Sequence, residues 1–101
     1  MPELTDLADL TGRPQAEVFE TGRPKTVRIA LDADQGIPPH SHPGSDVVVH
    51  LLAGRLEVTV DGTAYDLHPG HLLRFSGDRE VALDAAEESI AIVVLAPAAE
   101  D

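Results

Sequence analysis

The chain has 101 residues and contains no cysteine and no tryptophan. Disulfides, thiolate metal ligands and thiol nucleophiles are therefore excluded. Aromatic residues are scarce, with one tyrosine and two phenylalanines. Base-stacking platforms for single-stranded nucleic acid are not expected. Positive charge is scarce too. Eighteen acids stand against seven bases, a formal net charge of −11, and Lys25 is the single lysine. Such a surface repels phosphate backbones, so no nucleic-acid partner is expected. No apolar run reaches the roughly 18 residues of a membrane-spanning helix, and no membrane partner is expected. The first residues, MPELTDLADL, are acidic and lack the basic and apolar blocks of a signal peptide. A cytoplasmic location is the expectation.

What is present fills one core. Hydrophobic residues make up 43% of the chain, enough for a single domain over residues 1–101. The acidic, lysine-poor balance has two readings. One is an ordinary acidic protein. The other is halophilic adaptation to concentrated salt, where the Debye length falls to about 3 Å at 1 M and carboxylate repulsion is screened.

Periodicity points to strands. Leu4, Leu7, Ala8 and Leu10 have near-helical spacing and suggest a short helix or arm within residues 1–25. Two Gly-Arg-Pro tripeptides, at 12–14 and 22–24, read as turns. From residue 26 the pattern alternates. Val27, Ile29 and Leu31 share one face, as do Leu56, Val58 and Val60. Asp61-Gly62 between 55–60 and 63–67 is a hairpin signal. Further strands are expected at 47–52, 71–75, 79–83 and 89–95, with turn residues between nearly all of them. Short strands so spaced argue an all-β sandwich or barrel. The core spans about 26–95, and the tail 96–101 is expected to fray.

Chemistry concentrates in Gly36–Asp46. His40, His42 and His50 fall within eleven residues. On an extended chain, side chains two apart share a face, so His40 and His42 can present two neutral imidazoles together. Such a pair can chelate a divalent metal. Flanking prolines stiffen the segment. The alternative is a polar loop with two solvated imidazoles.

Gly36, His40-Ser41-His42-Pro43-Gly44, the apolar stretch Val47–Leu52 and Gly54 together resemble the first motif of the cupins. Leu56–Val60, Asp61-Gly62, Tyr65-Asp66-Leu67 and Pro69-Gly70 resemble the remainder of that barrel. The likeness covers 26–95. It implies a small all-β double-stranded β-helix, or jelly roll, commonly a homodimer. In metal-binding cupins the first motif supplies two histidines and a glutamate, and the second motif another histidine. His40 and His42 match. Counting back from Gly54 puts the carboxylate position on Val47, whereas counting forward from His42 puts it on Asp46. A local bulge would be needed to turn Asp46 inward, with His50 on the same face. The second motif has no histidine, and its position falls on Glu80 or Val81.

The resemblance thus implies a divalent transition-metal site (Mn, Fe, Ni, Cu or Zn) at His40, His42, Asp46 and Glu80. Val47, Val49 and His50 would belong to the pocket. Three functions follow as expectations. The first is a small-molecule-binding barrel with His40 and His42 as its polar groups. The second is a metal-dependent dioxygenase or isomerase acting on a small polar or phenolic metabolite. The third is a dimeric sensor or interaction module. His68 and His71 read as surface residues. Arg74 reads as an outer-face residue, as a partner for an acid such as Glu57, or as a group that holds a substrate carboxylate, with a structural role favoured.

Overall fold

A computed structural model describes residues 2–19 and 22–98. After a 3-10 turn at Leu7–Asp9 the described residues form nine strands: β1 (Gln15–Glu17), β2 (Lys25–Leu31), β3 (Gly36–His40), β4 (Ser45–Ala53), β5 (Leu56–Val60), β6 (Thr63–Leu67), β7 (Leu72–Ser76), β8 (Val81–Ala85) and β9 (Ser89–Pro97). They build two antiparallel sheets. One has the order β1-β2-β9-β4-β7, the other β3-β8-β5-β6. The architecture is all-β, as the alternation leads one to expect, and it is the jelly roll that the cupin resemblance implies. No helix among the described residues is long and apolar enough to cross a membrane.

Alternation decides which residues meet between the sheets. Val27, Ile29 and Leu31 of β2, Val47, Val49 and Leu51 of β4, and Ala91 and Val93 of β9 are buried on one inner face. Leu56, Val58, Val60, Val81, Leu83 and Ala85 are buried on the other. Burial of each large aliphatic side chain contributes roughly 1.5–3 kcal/mol. The β5–β6 hairpin turns on Asp61 (φ 46) and Gly62 (φ 84). Two successive positive φ angles make the type I′ geometry, whose twist matches that of the strands.

Three features differ from the sequence expectation. Gly36–His40, read as a stiff extended segment, is a true strand paired to β8. Ala96 and Pro97 continue β9, and Ala96 pairs with Asp46, so the expected fraying does not begin at residue 96. The rest of that expectation, residues 99–101, lies outside the described residues. The N-terminal arm also carries a strand, β1, which pairs with β2.

Arg28 explains why the arm lies where it does. It sits on the outer face of β2 and is only 8% exposed. Its guanidinium donates to the Leu10 carbonyl at 3.0 Å and to the Gly12 carbonyl at 2.8 Å, with a longer contact to the Leu7 carbonyl at 3.5 Å. Buried charge is costly unless hydrogen-bonded, and here backbone carbonyls of the arm supply the acceptors.

The outer faces are unlike. On the five-stranded sheet, Val48, Ile90, Ile92 and Val94 are only partly buried, and Leu72 is 64% exposed. On the four-stranded sheet, Asp66, Glu57 and Asp84 stand in one cross-strand row. Arg74 pairs in register with Val48 on the first sheet, so it and Glu57 lie on different sheets. Asp66 is held instead by Arg55, at 2.7 and 3.1 Å.

Candidate functional site

The two sheets enclose a cavity of about 630 Å³, open at one side. Its walls are mostly aliphatic, drawn from Val27, Ile29, Val47, Val49, Leu83 and Val93. Its polar side chains are Gln15, Arg23, Lys25, His40, His42 and Ser45.

A bulge brings His40 to this cavity. Ile37 pairs with Leu83 and His40 pairs with Val81, so three steps along β3 match two along β8. In a regular strand, residues three apart point to opposite faces. The extra residue falls in Pro38-Pro39, where neither ring nitrogen has a proton to give to the ladder. The bulge restores parity, and Ile37 and His40 both line the cavity.

His42 lies past the end of β3 and is fixed by its backbone. Its N–H donates to the Gly77 carbonyl at 2.7 Å, and the Gly77 N–H donates to the Ser45 carbonyl at 2.7 Å. A Cβ on residue 77 would collide with the carbonyls of His42 and Ser45. Gly77 is therefore a positioning residue for the loop that carries His42.

The imidazoles meet edge to face, with centroids 4.8 Å apart and planes at 87°. His40 Nδ1 lies 2.9 Å from the Pro38 carbonyl. A carbonyl can only accept, so Nδ1 carries the proton, and in the neutral ring Nε2 is left as an acceptor. Desolvation by burial is the main cause holding the His42 pKa below its ordinary value, with positive charge on His40 and Lys25 adding to it. His42 is therefore predominantly neutral at pH 7.

The expected site residues separate into two groups. His40, His42, Val47 and Val49 line the cavity. Asp46 and His50 do not. The β4 register runs without a shift from Ser45 to Leu51, so no bulge turns Asp46 inward, and it alternates with Val47 onto the outer face together with His50. Glu80 is also outside the cavity. It is exposed just before β8, its N–H donates to Asp61, and Val81 takes the inward position opposite His40. The inward places expected for Asp46 and Glu80 are therefore taken by their neighbours Val47 and Val81, which line the cavity wall. Among the described residues, no group of three or more His, Asp or Glu side chains is placed to hold a metal ion. Two imidazoles alone do not match the three or four donors of a tightly held divalent ion. The expected four-ligand arrangement does not fit this geometry.

Among the polar lining residues, sequence reasoning misses Gln15, Arg23 and Lys25, because residues 1–25 read as a separate arm, and Ser45 as well. One signal is present. Lys25 continues the inward period of Val27, Ile29 and Leu31 by one step.

The double-stranded β-helix with paired histidines at its opening defines a class, and comparison with known proteins names it. The family model described as "Cupin domain" matches residues 27–96. The chain belongs to the cupin family. Among solved structures it is similar to KdgF from Halomonas sp., with 21% identity over 100% of this chain and 98% of that one, and a TM-score of 0.82. It is similar to TT1209 from Thermus thermophilus, with 28% identity over 95% and 98% of the two chains and a TM-score of 0.79. An RmlC-like cupin protein from Desulfovibrio desulfuricans has 20% identity over 96% and 98%, with a TM-score of 0.81. Among curated proteins, none matches the chain.

Proposed function

We propose that this cupin barrel binds a small molecule between its sheets, with His40 and His42 as polar contacts on an aliphatic wall. The observation that carries this reading is the cavity itself. Its volume of about 630 Å³ falls in the roughly 300–1,000 Å³ range of small-molecule sites, and both imidazoles border it. In its neutral tautomer the free Nε2 of His40 accepts a hydrogen bond, which suits a hydroxyl or N–H on the ligand. The test is amide shift mapping with the uncharged dye N-phenyl-1-naphthylamine. Shifts centred on Ile37, Val47, Val49 and Leu83 are expected. Shifts confined to the outer face around Val48 and Ile92 overturn the reading, as does an absence of cavity shifts with both this dye and its sulfonated analogue.

A homodimer is the second part of the proposal. The specific observation is the row of apolar side chains on the outer face of the five-stranded sheet, with Leu72 64% exposed. A two-fold arrangement would lay this patch on its own copy. Sedimentation equilibrium in both dilute and molar salt checks it, and a monomer in both conditions would overturn it.

A further inference from the structure

Charge is distributed unevenly around the cavity. Over the whole chain acids outnumber bases eighteen to seven. Among the described residues the cavity lining reverses that ratio, with Arg23 and Lys25 and no aspartate or glutamate. The chain's single lysine is thus placed here. Lys25 lies on the inner-face row of β2, directly before Val27 and Ile29, and pairs in register with Leu95, itself a lining residue. A cation continuing an inward aliphatic row suits a ligand that is apolar along the wall and negative at its end.

One acid close to Lys25 is informative. Glu17, on β1 in register with Val27, approaches Lys25 with Oε1 3.6 Å from Nζ. Both side chains are more than half exposed, at 53% and 59%. Exposed pairs of this kind are weak, and one carboxylate leaves other Lys N–H donors free. Glu17 is therefore a competitor that an incoming anion can displace or sit beside.

We propose that the cavity's ligand is a small organic anion, its charged group held by Arg23 and Lys25 and its body lying on the aliphatic wall. This rests on the small-molecule reading above and narrows it to a chemical class. An inorganic anion would leave the wall unused. A neutral molecule would make no use of the positive charge that Arg23 and Lys25 bring to the lining.

Two dyes that differ by one sulfonate test it: 8-anilinonaphthalene-1-sulfonate and the uncharged N-phenyl-1-naphthylamine, each titrated into the full chain with amide shifts recording the site. The sulfonate is expected to bind the cavity at least about tenfold more tightly, the weight of one charge-assisted hydrogen bond. The Arg23→Gln/Lys25→Gln double variant is expected to lose that advantage while binding the neutral dye unchanged. Lys25→Arg is expected to keep it, and Glu17→Gln to enlarge it a few-fold by removing the competitor. Equal affinity of the two dyes at the cavity, or a double variant that still prefers the sulfonate, overturns the anion proposal and leaves the small-molecule reading standing. Displacement of the sulfonate by inorganic phosphate as readily as by benzoate also overturns it, since the organic body would then contribute nothing. If neither dye reaches the cavity, both readings fall together.

Discussion

On the five-stranded sheet the outward positions carry a row of Val48, Ile90, Ile92, Val94 and Leu72, with Arg28, Asp46, His50 and Arg74 beside it. On the four-stranded sheet they carry Glu57, Thr59, Ala64, Asp66, Ala82 and Asp84. Their inward positions are alike, aliphatic nearly throughout. The inner faces are constrained by each other, because each sheet supplies the apolar surface that the other needs. The outer faces are free to diverge, and the divergence is where use can be written. An apolar outer face suits a protein surface. An acidic one suits water and salt.

The largest expected effect concerns what the sheets share. Leu51 on β4 and Leu56 on β5 are both 0% exposed. Truncation of either to alanine is expected to cost about 2–5 kcal/mol, the transfer term plus the cavity left behind. Urea melts monitored by circular dichroism read both. A Leu56→Ala variant as stable as the parent would break the comparison, because the four-stranded sheet would then contribute little to a common core.

The next effect separates the outer faces. Val48→Glu places a charge in the middle of the apolar row, between Val94 and Arg74. If that face meets a second copy, dimer affinity is expected to fall by about a hundredfold or more, the scale of an interface hot spot. Thr59→Glu, on an inner strand of the four-stranded sheet, should leave association unchanged. Equal effects of the two charges on sedimentation would remove the distinction between the faces.

How far the sequence discloses these two sheets depends on where regular alternation holds. Leu56–Val60 and Thr63–Leu67 appear as expected because their side chains keep strict parity and Asp61-Gly62 fixes the register. Parity fails at β3. Pro38-Pro39 hides a bulge, and only the pairing with β8 shows that Ile37 and His40 share a face. For the same reason the choice between Asp46 and Val47, and between Glu80 and Val81, is open in one dimension. The register resolves both in favour of valine. Lys25 gives little warning in the sequence because a cation at a strand end usually marks solvent, and only the cavity shows which solvent-facing end this is.

A smaller effect lies at the edge of the apolar face, where the arm crosses β2. Arg28→Met keeps the aliphatic bulk and removes the donors to Leu10 and Gly12. Two carbonyls lose their partners, at an expected cost of about 1–3 kcal/mol. Amide exchange locates the loss. The Val18 N–H, bonded to Thr26, and the Ala30 N–H, bonded to Pro14, should lose protection before the amides of β4 and β9. Uniform loss across the sheet would mean that Arg28 supports the barrel rather than the arm.

The smallest effect belongs to the acidic face. Glu57 lies directly opposite Asp66 on one side and Asp84 on the other, and like charges so placed repel. Asp66 stays charged far into acid, because the hydrogen bonds from Arg55 hold its carboxyl down at about 2. A carboxyl depressed in the folded state favours folding above the usual carboxylate range, and that contribution is lost as pH falls through about 2. Arg55→Gln should therefore lower stability at neutral pH and leave it unchanged near pH ~1, where Asp66 is protonated in both proteins. Glu57→Gln acts in the opposite direction. It relieves the row and should raise stability in dilute buffer by roughly 0.2–1 kcal/mol. In molar salt, where the screening length is about 3 Å, the gain should vanish. A gain that persists in molar salt would show that Glu57 is disfavoured by packing rather than charge. Its disappearance would identify the acidic face as one that a salty solvent stabilises, in contrast to the apolar outer face of the other sheet, whose burial salt screening does not govern.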